Sequence, residues 1–396
     1  MKFFYFFQKR FFSIISGEDS SFSAKIICFL LYVPQVFFRL AIFVRNKYYD
    51  FQEFRGRIFH ASCPVICVGN LSMGGTGKTP MVIWLVEKLK DYGFQIVIIS
   101  RGYKAQKISK KNDEAQEIAR LLPEVPHIQN LNRCLAAQEA EEKYHPDVIL
   151  LDDGFQHRRL YRDMNIVLMD VTQQNVAALF PRGLFREPFS ALRRADTVIL
   201  TRADQGNYDF FKKYFTRFLR KDAFCLHGIH RPVCFENVAG EKREIHELKG
   251  KNVGVFCGIG NPTGFLQSLK KAEILCSSSG TLNVGAFPCF TLSVQNSQEK
   301  CDEDLERKSQ AKNDFFSEEN IRIFPDHYHF TSEDIRDLEN WGKQRNFTAF
   351  ICTWKDLVKI NKEKLGDIPL YALKVEMEIT ESEKLLDRVI QILNRR

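Results

Sequence analysis

No CxxC pair occurs in this chain of 396 residues, although it carries 11 cysteines. They form an odd, scattered set. Cys63 and Cys67 come nearest to a ligand spacing, but no second Cys/His pair accompanies them. This argues against a disulfide framework and a structural zinc site, and for a reduced, cytosol-facing protein with ordinary buried thiols. Internal repeats are absent, and so is a small-residue cleavage site behind the apolar N-terminus, so no secretory signal peptide is expected. An unbroken membrane-length apolar run is missing too. The stretch from Ile26 to Val44 has about the length that spans a bilayer, but Pro34, Gln35 and Arg39 interrupt it. An arginine near mid-span costs about 2.5 kcal/mol or more.

What is present is a folded composition, 44% hydrophobic and 27% charged, with a mild net charge of +8. Such a chain is not disordered, and its length calls for two domains plus extras. The N-terminus is the anomaly: "MKFFYFFQKRFF" and "AKIICFLLYVPQVFFRLAIFVRNKYYDF" are crowded with Phe, Leu, Ile and Val. The segment reads as a helix lying in, or partly inserted into, a membrane interface. Arg39, Arg45, Lys47, Arg55 and Arg57 would then face anionic headgroups. An amphipathic helix covering the protein's own core is the alternative, and a true span a third possibility.

From Pro64 onward the texture changes. "PVICVG", "FQIVIIS", "DVILLDD", "MNIVLMD" and "ADTVILTRAD" read as strands, with helices between them. This alternation predicts an α/β fold with a mainly parallel sheet, and functional groups beyond the carboxyl ends of the strands. The pattern pauses around residues 230 to 245. A second α/β unit then follows, with "KNVGVFCGIG", "NFTAFICTW" and "PLYALKVEME" as strands. "SVQNSQEKCDEDLERKSQAKND" reads as a solvent-exposed, charged insertion.

The chemistry concentrates in "VGNLSMGGTGKTP", Val68 to Pro80. A strict phosphate-binding loop, G-x-x-x-x-G-K-[ST], would have glycine where Ser72 stands. The context is nevertheless right: a buried-type strand precedes it and a helix follows. Gly74, Gly75 and Gly77, with Thr76 between them, let backbone N–H groups crowd toward an anion. Lys78 supplies charge for the β- and γ-phosphates, and Thr79 a hydroxyl for Mg²⁺. Pro80 in the helix's first turn forfeits no intrahelical bond. "DVILLDDGFQH" ends an apolar strand in acid, so Asp152 or Asp153 is expected beside the loop in the Mg²⁺ shell. Gln156 and His157 extend from the same turn, where each is either a contact to substrate or phosphate or a structural residue. "FPRGLFREP" gathers Arg182, Arg186 and Glu187, which suits an anionic substrate. "VILTRAD" resembles the base-reading strand of GTPases with Asp204 in the suggestive place, although Arg202 replaces the usual lysine.

The ordered set "GNLSMGGTGKTP", "SRGY", "DE" at Asp113–Glu114, "DVILLDDGFQHRRL", "FPRGLFREP", "GIGNP" and "FPDHYHF" resembles the lipid A disaccharide 4'-kinase family over nearly the whole chain. The resemblance implies two α/β/α domains. Residues 1–57 would form a membrane-associated helical segment, 58–235 a P-loop kinase-like ATP-binding domain, and 236–396 a second domain with the insertion near 293–316. It implies transfer of the γ-phosphate of ATP, with Mg²⁺, to the 4'-hydroxyl of a tetraacylated glucosamine disaccharide 1-phosphate. The work would be done at the cytoplasmic face of the inner membrane, with the glycolipid and membrane lipids as partners and no nucleic acid. It carries the base role to Asp113 paired with His327, and substrate or phosphate contacts to Arg101, Glu114, Gln156, His157, Arg186 and Glu187. Asn112 and Ala115 stand where the family has "GDEP", and Trp354 interrupts "TEKD". The rival expectation is a membrane-tethered GTPase or ATPase assembly factor with Asp204 as base reader.

Overall fold

A computed structural model describes residues 10–11, 13–17, 19, 21–102, 113–172, 178–206, 208–277, 318–326 and 328–395. The chain divides into two compact units. The first comprises Met1–Arg231, Ile259–Gly264 and Val375–Arg396; the second comprises Pro232–Gly258 and Phe265–Lys374.

The first unit opens with helices α1 (Phe22–Leu30) and α2 (Tyr32–Phe54). Ser21 caps α1 by accepting the Ala24 amide at 3.2 Å. Pro34 lies in the first turn of α2, where its missing N–H leaves the Leu30 carbonyl without its i+4 donor. The two helices meet at that break with a bend of 41°. Neither is by itself long and apolar enough to cross a membrane, although the bent pair together has that length and composition. In α2 only Ile42 is buried, while Phe37, Leu40, Phe43, Val44 and Phe51 lie exposed. The expected row of basic residues is less uniform than the sequence implies. Arg45 turns inward to Glu187, 3.1 Å away, because a buried carboxylate binds it more firmly than solvent does.

Next come β1 (Val65–Asn70), α3 (Lys78–Asp91), β2 (Ile96–Ser100), α4 (Asp113–Leu121), β3 (His127–Gln129), α5 (Arg133–Tyr144), β4 (Val148–Asp152), β5 (Met164–Asp170), β6 (Thr197–Thr201), α6 (Tyr208–Thr216) and β7 (Phe224–Glu236). The strands lie in the order β3-β2-β4-β1-β5-β6-β7. They pair in parallel. The sheet winds to one side of β1 through β4, β2 and β3, and to the other through β5, β6 and β7. The end of β1 is therefore the switch point, where α/β sheets bind ligands.

Both faces of this sheet are covered, so the strands read as continuous apolar runs. Alternate residues sort between two cores. Ile66 and Val68 join Met81, Leu85 and Leu89 of α3 on one face. Val65 and Cys67 join Ala136, Ala137 and Ala140 of α5 on the other. The three alanines let α5 sit close to the strands.

In the second unit, β8 (Lys242–Arg243), β9 (Val253–Cys257), α7 (Pro262–Ser277), β10 (Ile321–Ile323), α8 (Ser332–Arg345), β11 (Ala349–Cys352), α9 (Trp354–Ile360), β12 (Lys364–Leu365) and β13 (Ile368–Ile379) follow. The order β10-β9-β11-β13 is parallel throughout. The expected charged insertion lies outside the described residues.

The division also differs from a linear reading that gives residues 236–396 to one domain. The end of β13 and α10 (Ser382–Leu393) group with the first unit, because Met377, Ile379, Leu385, Val389 and Leu393 complete the α3 face of its core. The N-terminal helices group there as well.

Candidate active site

The phosphate loop leaves β1 at Asn70 and enters α3 at Lys78. Gly74 and Gly77 have φ of 108° and 88°, values that glycine adopts without strain. Gly77 also has no room for a side chain, since a Cβ there would lie 2.6 Å from His230 Nε2. The irregular Ser72 has a structural reason. It is 4% exposed and forms an antiparallel bridge with Phe185. Around that bridge Met73 N–H donates to the Leu184 carbonyl and Arg186 N–H to the Leu71 carbonyl, both at 2.7 Å. The first part of the loop is thus an extended strand edge paired with "GLFRE", and the turn begins at Gly74. The Asn70 amide supports that turn by donating to Thr76 Oγ1 at 2.9 Å. Gln156 Nε2 in turn donates to the Asn70 carbonyl at 2.8 Å.

β4 runs beside β1 and delivers two acids. Asp152 is 3% exposed. Asp153 takes a left-handed φ of 50°, with its amide on the Val68 carbonyl at 3.0 Å. That turn needs Gly154 next, because a Cβ there would come within 2.2 Å of Leu151. Lys78 Nζ lies 3.6 Å from Asp153 Oδ1, and Arg186 reaches both carboxylate oxygens at 3.1 and 3.0 Å. Burial by itself would raise the Asp153 carboxyl. Lys78, Arg186 and Arg133 together outweigh it and hold the group at about 2, so it is ionised at neutral pH.

Arg133, the first residue of α5, is 4% exposed. Burial and the neighbouring Arg101 lower its pKa, while Asp153 and Asp152 favour its charge. A cation at the positive end of a helix opposes the helix dipole, and that is the one signal by which the sequence could have marked it. His157 is pushed down to about 4 by burial and by Arg133, Arg162, Arg159 and Arg101, so its ring is neutral. Its Nε2 is buried and, among the described residues, has no hydrogen-bond partner.

One expected residue turns away from this cluster. Glu187 is fully buried and is taken up by Arg45, Asn46 Nδ2 and Arg194 at 3.1, 3.1 and 2.6 Å. Arg101 is exposed just beyond β2. Asp113 and Glu114 open α4, but their side chains lie outside the described residues, as does His327. Thr79 is 8% exposed at the start of α3. The oxygen donors of Thr79, Asp152 and Asp153 suit Mg²⁺, which takes one or two carboxylates and fills its shell with water and phosphate oxygens. Among the described residues no three His, Cys, Asp or Glu side chains form an all-protein cage.

The sequence pattern of the tetraacyldisaccharide-1-P 4'-kinase family matches residues 27–282 and 314–394. The chain belongs to that kinase family. A tetraacyldisaccharide 4'-kinase of Syntrophus aciditrophicus is 31% identical, with 92% of each chain covered. One from Halothermothrix orenii is 28% identical, over 97% of this chain and 96% of its own. Among solved structures, LpxK from Aquifex aeolicus, described as an "apo" form in complex with ATP, superimposes with a TM-score of 0.64 and 27% identity. That match covers 93% of this chain and 99% of the other. The expectation of an assembly GTPase gives way to that of a phosphotransferase.

Proposed function

We propose that this kinase transfers the γ-phosphate of ATP to the 4'-hydroxyl of a tetraacylated glucosamine disaccharide 1-phosphate. It would do so at the cytoplasmic face of the inner membrane, held there by α1 and α2. The observation that carries the reading is the convergence of Lys78 and Arg186 on Asp153, beside a loop of glycines at the sheet's switch point. That is a cationic, oxygen-lined socket for a triphosphate.

In this reading the amides of Gly74, Gly75, Gly77, Lys78 and Thr79 cradle the phosphates, while that of Thr76 closes the turn on the Gly74 carbonyl, and Lys78 meets charge on the β- and γ-phosphates. Arg186 and Arg101 stabilise the transferring group. Thr79, Asp152 and Asp153 hold Mg²⁺, which when bound neutralises phosphate charge. Asp113 accepts the proton of the sugar hydroxyl, and His327 keeps that carboxylate oriented and ionised. Glu114 contacts substrate. Gln156 acts through Asn70 on the loop, and neutral His157 adds no further cation to the socket. Beside α2 lies a cavity of about 250 Å³ with Leu179, Phe185, Pro188, Phe189 and Phe218 on its walls and Gln35, Arg39, Glu187 and Ser190 among them. Its apolar part could take an acyl chain of the glycolipid.

The test is label transfer from γ-labelled ATP to a tetraacyl disaccharide 1-phosphate in mixed micelles. The wild-type chain labels the lipid, and Asp113→Ala loses transfer while retaining ATP binding. An unlabelled acceptor, together with hydrolysis of GTP in preference to ATP, would sink the reading.

A further inference from the structure

Arg202, which the sequence offered only as a misfit in a GTPase-like strand, is built into the floor of the phosphate loop. It follows β6 with φ of 53°, in the left-handed region that a non-glycine residue keeps only when its surroundings hold it there. It is 7% exposed. Its guanidinium NH1 donates to the Gly75 carbonyl at 3.1 Å and to Asp170 Oδ2. Asp170 in turn is fully engaged. Asn261 Nδ2 donates to the same oxygen at 2.8 Å. The Thr172 amide and hydroxyl hold the other oxygen at 2.9 and 2.7 Å. Asn261 is itself fixed by the Gly264 amide at 2.8 Å, and a Cβ on Gly264 would strike Arg202 Nε at 2.6 Å. One residue back, the Thr201 hydroxyl donates to the Thr76 carbonyl at 3.0 Å.

Two successive loop carbonyls are therefore bonded to the end of β6. In a trans peptide the C=O and the following N–H point in opposite directions. Holding the Gly75 carbonyl turns the Thr76 amide away from β6, where it closes on the Gly74 carbonyl at 3.1 Å. Holding the Thr76 carbonyl turns the Gly77 amide the same way. A buried Arg–carboxylate pair contributes little net stability compared with apolar packing, so the consequence of this one is conformational.

We propose that Arg202, anchored on Asp170 and Asn261, is a positioning residue that presets the phosphate loop for ATP by fixing the Gly75 carbonyl. The inference rests on the reading that the Gly74–Thr79 loop holds the ATP phosphates. It gives the "VILTRAD" strand a task other than base recognition, and gives "GIGNP" a part in nucleotide binding through Asn261.

The experiment uses the full chain and measures the Kd of a fluorescent ATP analogue, KM for ATP, KM for the disaccharide acceptor, and kcat. Arg202→Met with Asp170→Asn removes both halves of the pair without stranding a buried charge. The expected result is a folded protein whose Kd and KM for ATP rise tenfold to a hundredfold, the range of about 1.5–3 kcal/mol for a charged hydrogen bond. Acceptor KM should stay within twofold, and kcat should fall less than KM for ATP rises. Arg202→Lys, which keeps the charge but loses the fork, should fall between. ATP affinity within twofold of wild type in the double variant overturns the proposal, as does an equal loss for ATP and acceptor. Should the double variant not fold, Arg202→Lys decides, and an unchanged KM for ATP there overturns it. Lys78→Ala serves as the control on the loop: if it binds the analogue as wild type does, the phosphate-loop reading fails and this proposal with it.

Discussion

Two clusters of charge lie within the first unit, one around Asp153 and one beneath α2, and their residues alternate along the same motifs. In "DDGFQHRR", Asp153 goes to Lys78 and Arg186. Five residues on, Arg158 goes to Asp50 and Glu53 of α2, at 2.8 and 3.1 Å. In "FREP", Arg186 turns to Asp153 while Glu187 turns to Arg45 and Arg194. The first cluster is partly open, with Asp153 and Arg186 side chains 23% and 32% exposed, and has capacity left for a ligand. The second is closed around Arg158 and Glu187, which are 4% and 0% exposed. Membership of a motif therefore does not assign a residue to the chemistry; its side-chain direction does.

The largest effect expected from breaking this contrast is on activity. Asp153→Asn should lower kcat/KM by about 10³-fold, the scale of losing a charged group from a phosphoryl-transfer site. Its stability should also fall at neutral pH, because folding holds this carboxylate ionised at about 2, but by less than in the closed cluster. A comparable loss of stability would mean that the two clusters do not differ in kind. Glu187→Gln should do the reverse. It should cost about 3 kcal/mol of stability, because Arg194 and Arg45 lose a buried counter-charge, and chemical denaturation with α2-specific proteolysis would read it.

Next comes pH. The His157 pKa is about 4 in the fold and near 6.5 unfolded. Stability linked to this group is therefore complete above pH 6.5. It is lost as pH falls toward 4, since only the unfolded chain takes up the proton there. The ligand-free protein should lose about 2 kcal/mol across that window, and His157→Gln should flatten the profile. The smallest change in stability belongs to the outer face of α2. Phe37→Ser and Phe43→Ser should move the urea midpoint by no more than about 0.5 kcal/mol, because both rings are more than half exposed. Binding to vesicles containing anionic lipid should nevertheless weaken several-fold.

Much of this was legible in the sequence, for identifiable reasons. β1, β4 and the loop between strand and helix carry strong local signals, and the acids fall where a strand must end. The contrast between Arg158 and Arg186 was not legible, because residue type and spacing say nothing about which side of a turn a side chain leaves. Asn70, Arg133 and Arg202 escaped for a related reason. Each acts through partners distant in sequence: Gln156 reaches Asn70 from 86 positions away, and Arg202 reaches Gly75 across 127. The return of the C-terminus was equally invisible, since α10 looks like any amphipathic helix until it is known to share a core with Leu85 and Ile66.

That return has a consequence for how the protein is made. The core beneath α3 includes Leu385, Val389 and Leu393, which leave the ribosome only after the whole of the second unit. Between Arg231 and Val375 translation takes roughly 10 to 30 s at ordinary elongation rates. Throughout that interval the first unit has its phosphate loop and parallel strands, but one apolar face is still uncovered. Premature termination anywhere in the second unit would therefore release a nascent chain whose exposed surface invites proteolysis or chaperone capture. A stop codon shortly before Leu385 would disable the first unit as surely as one near its middle.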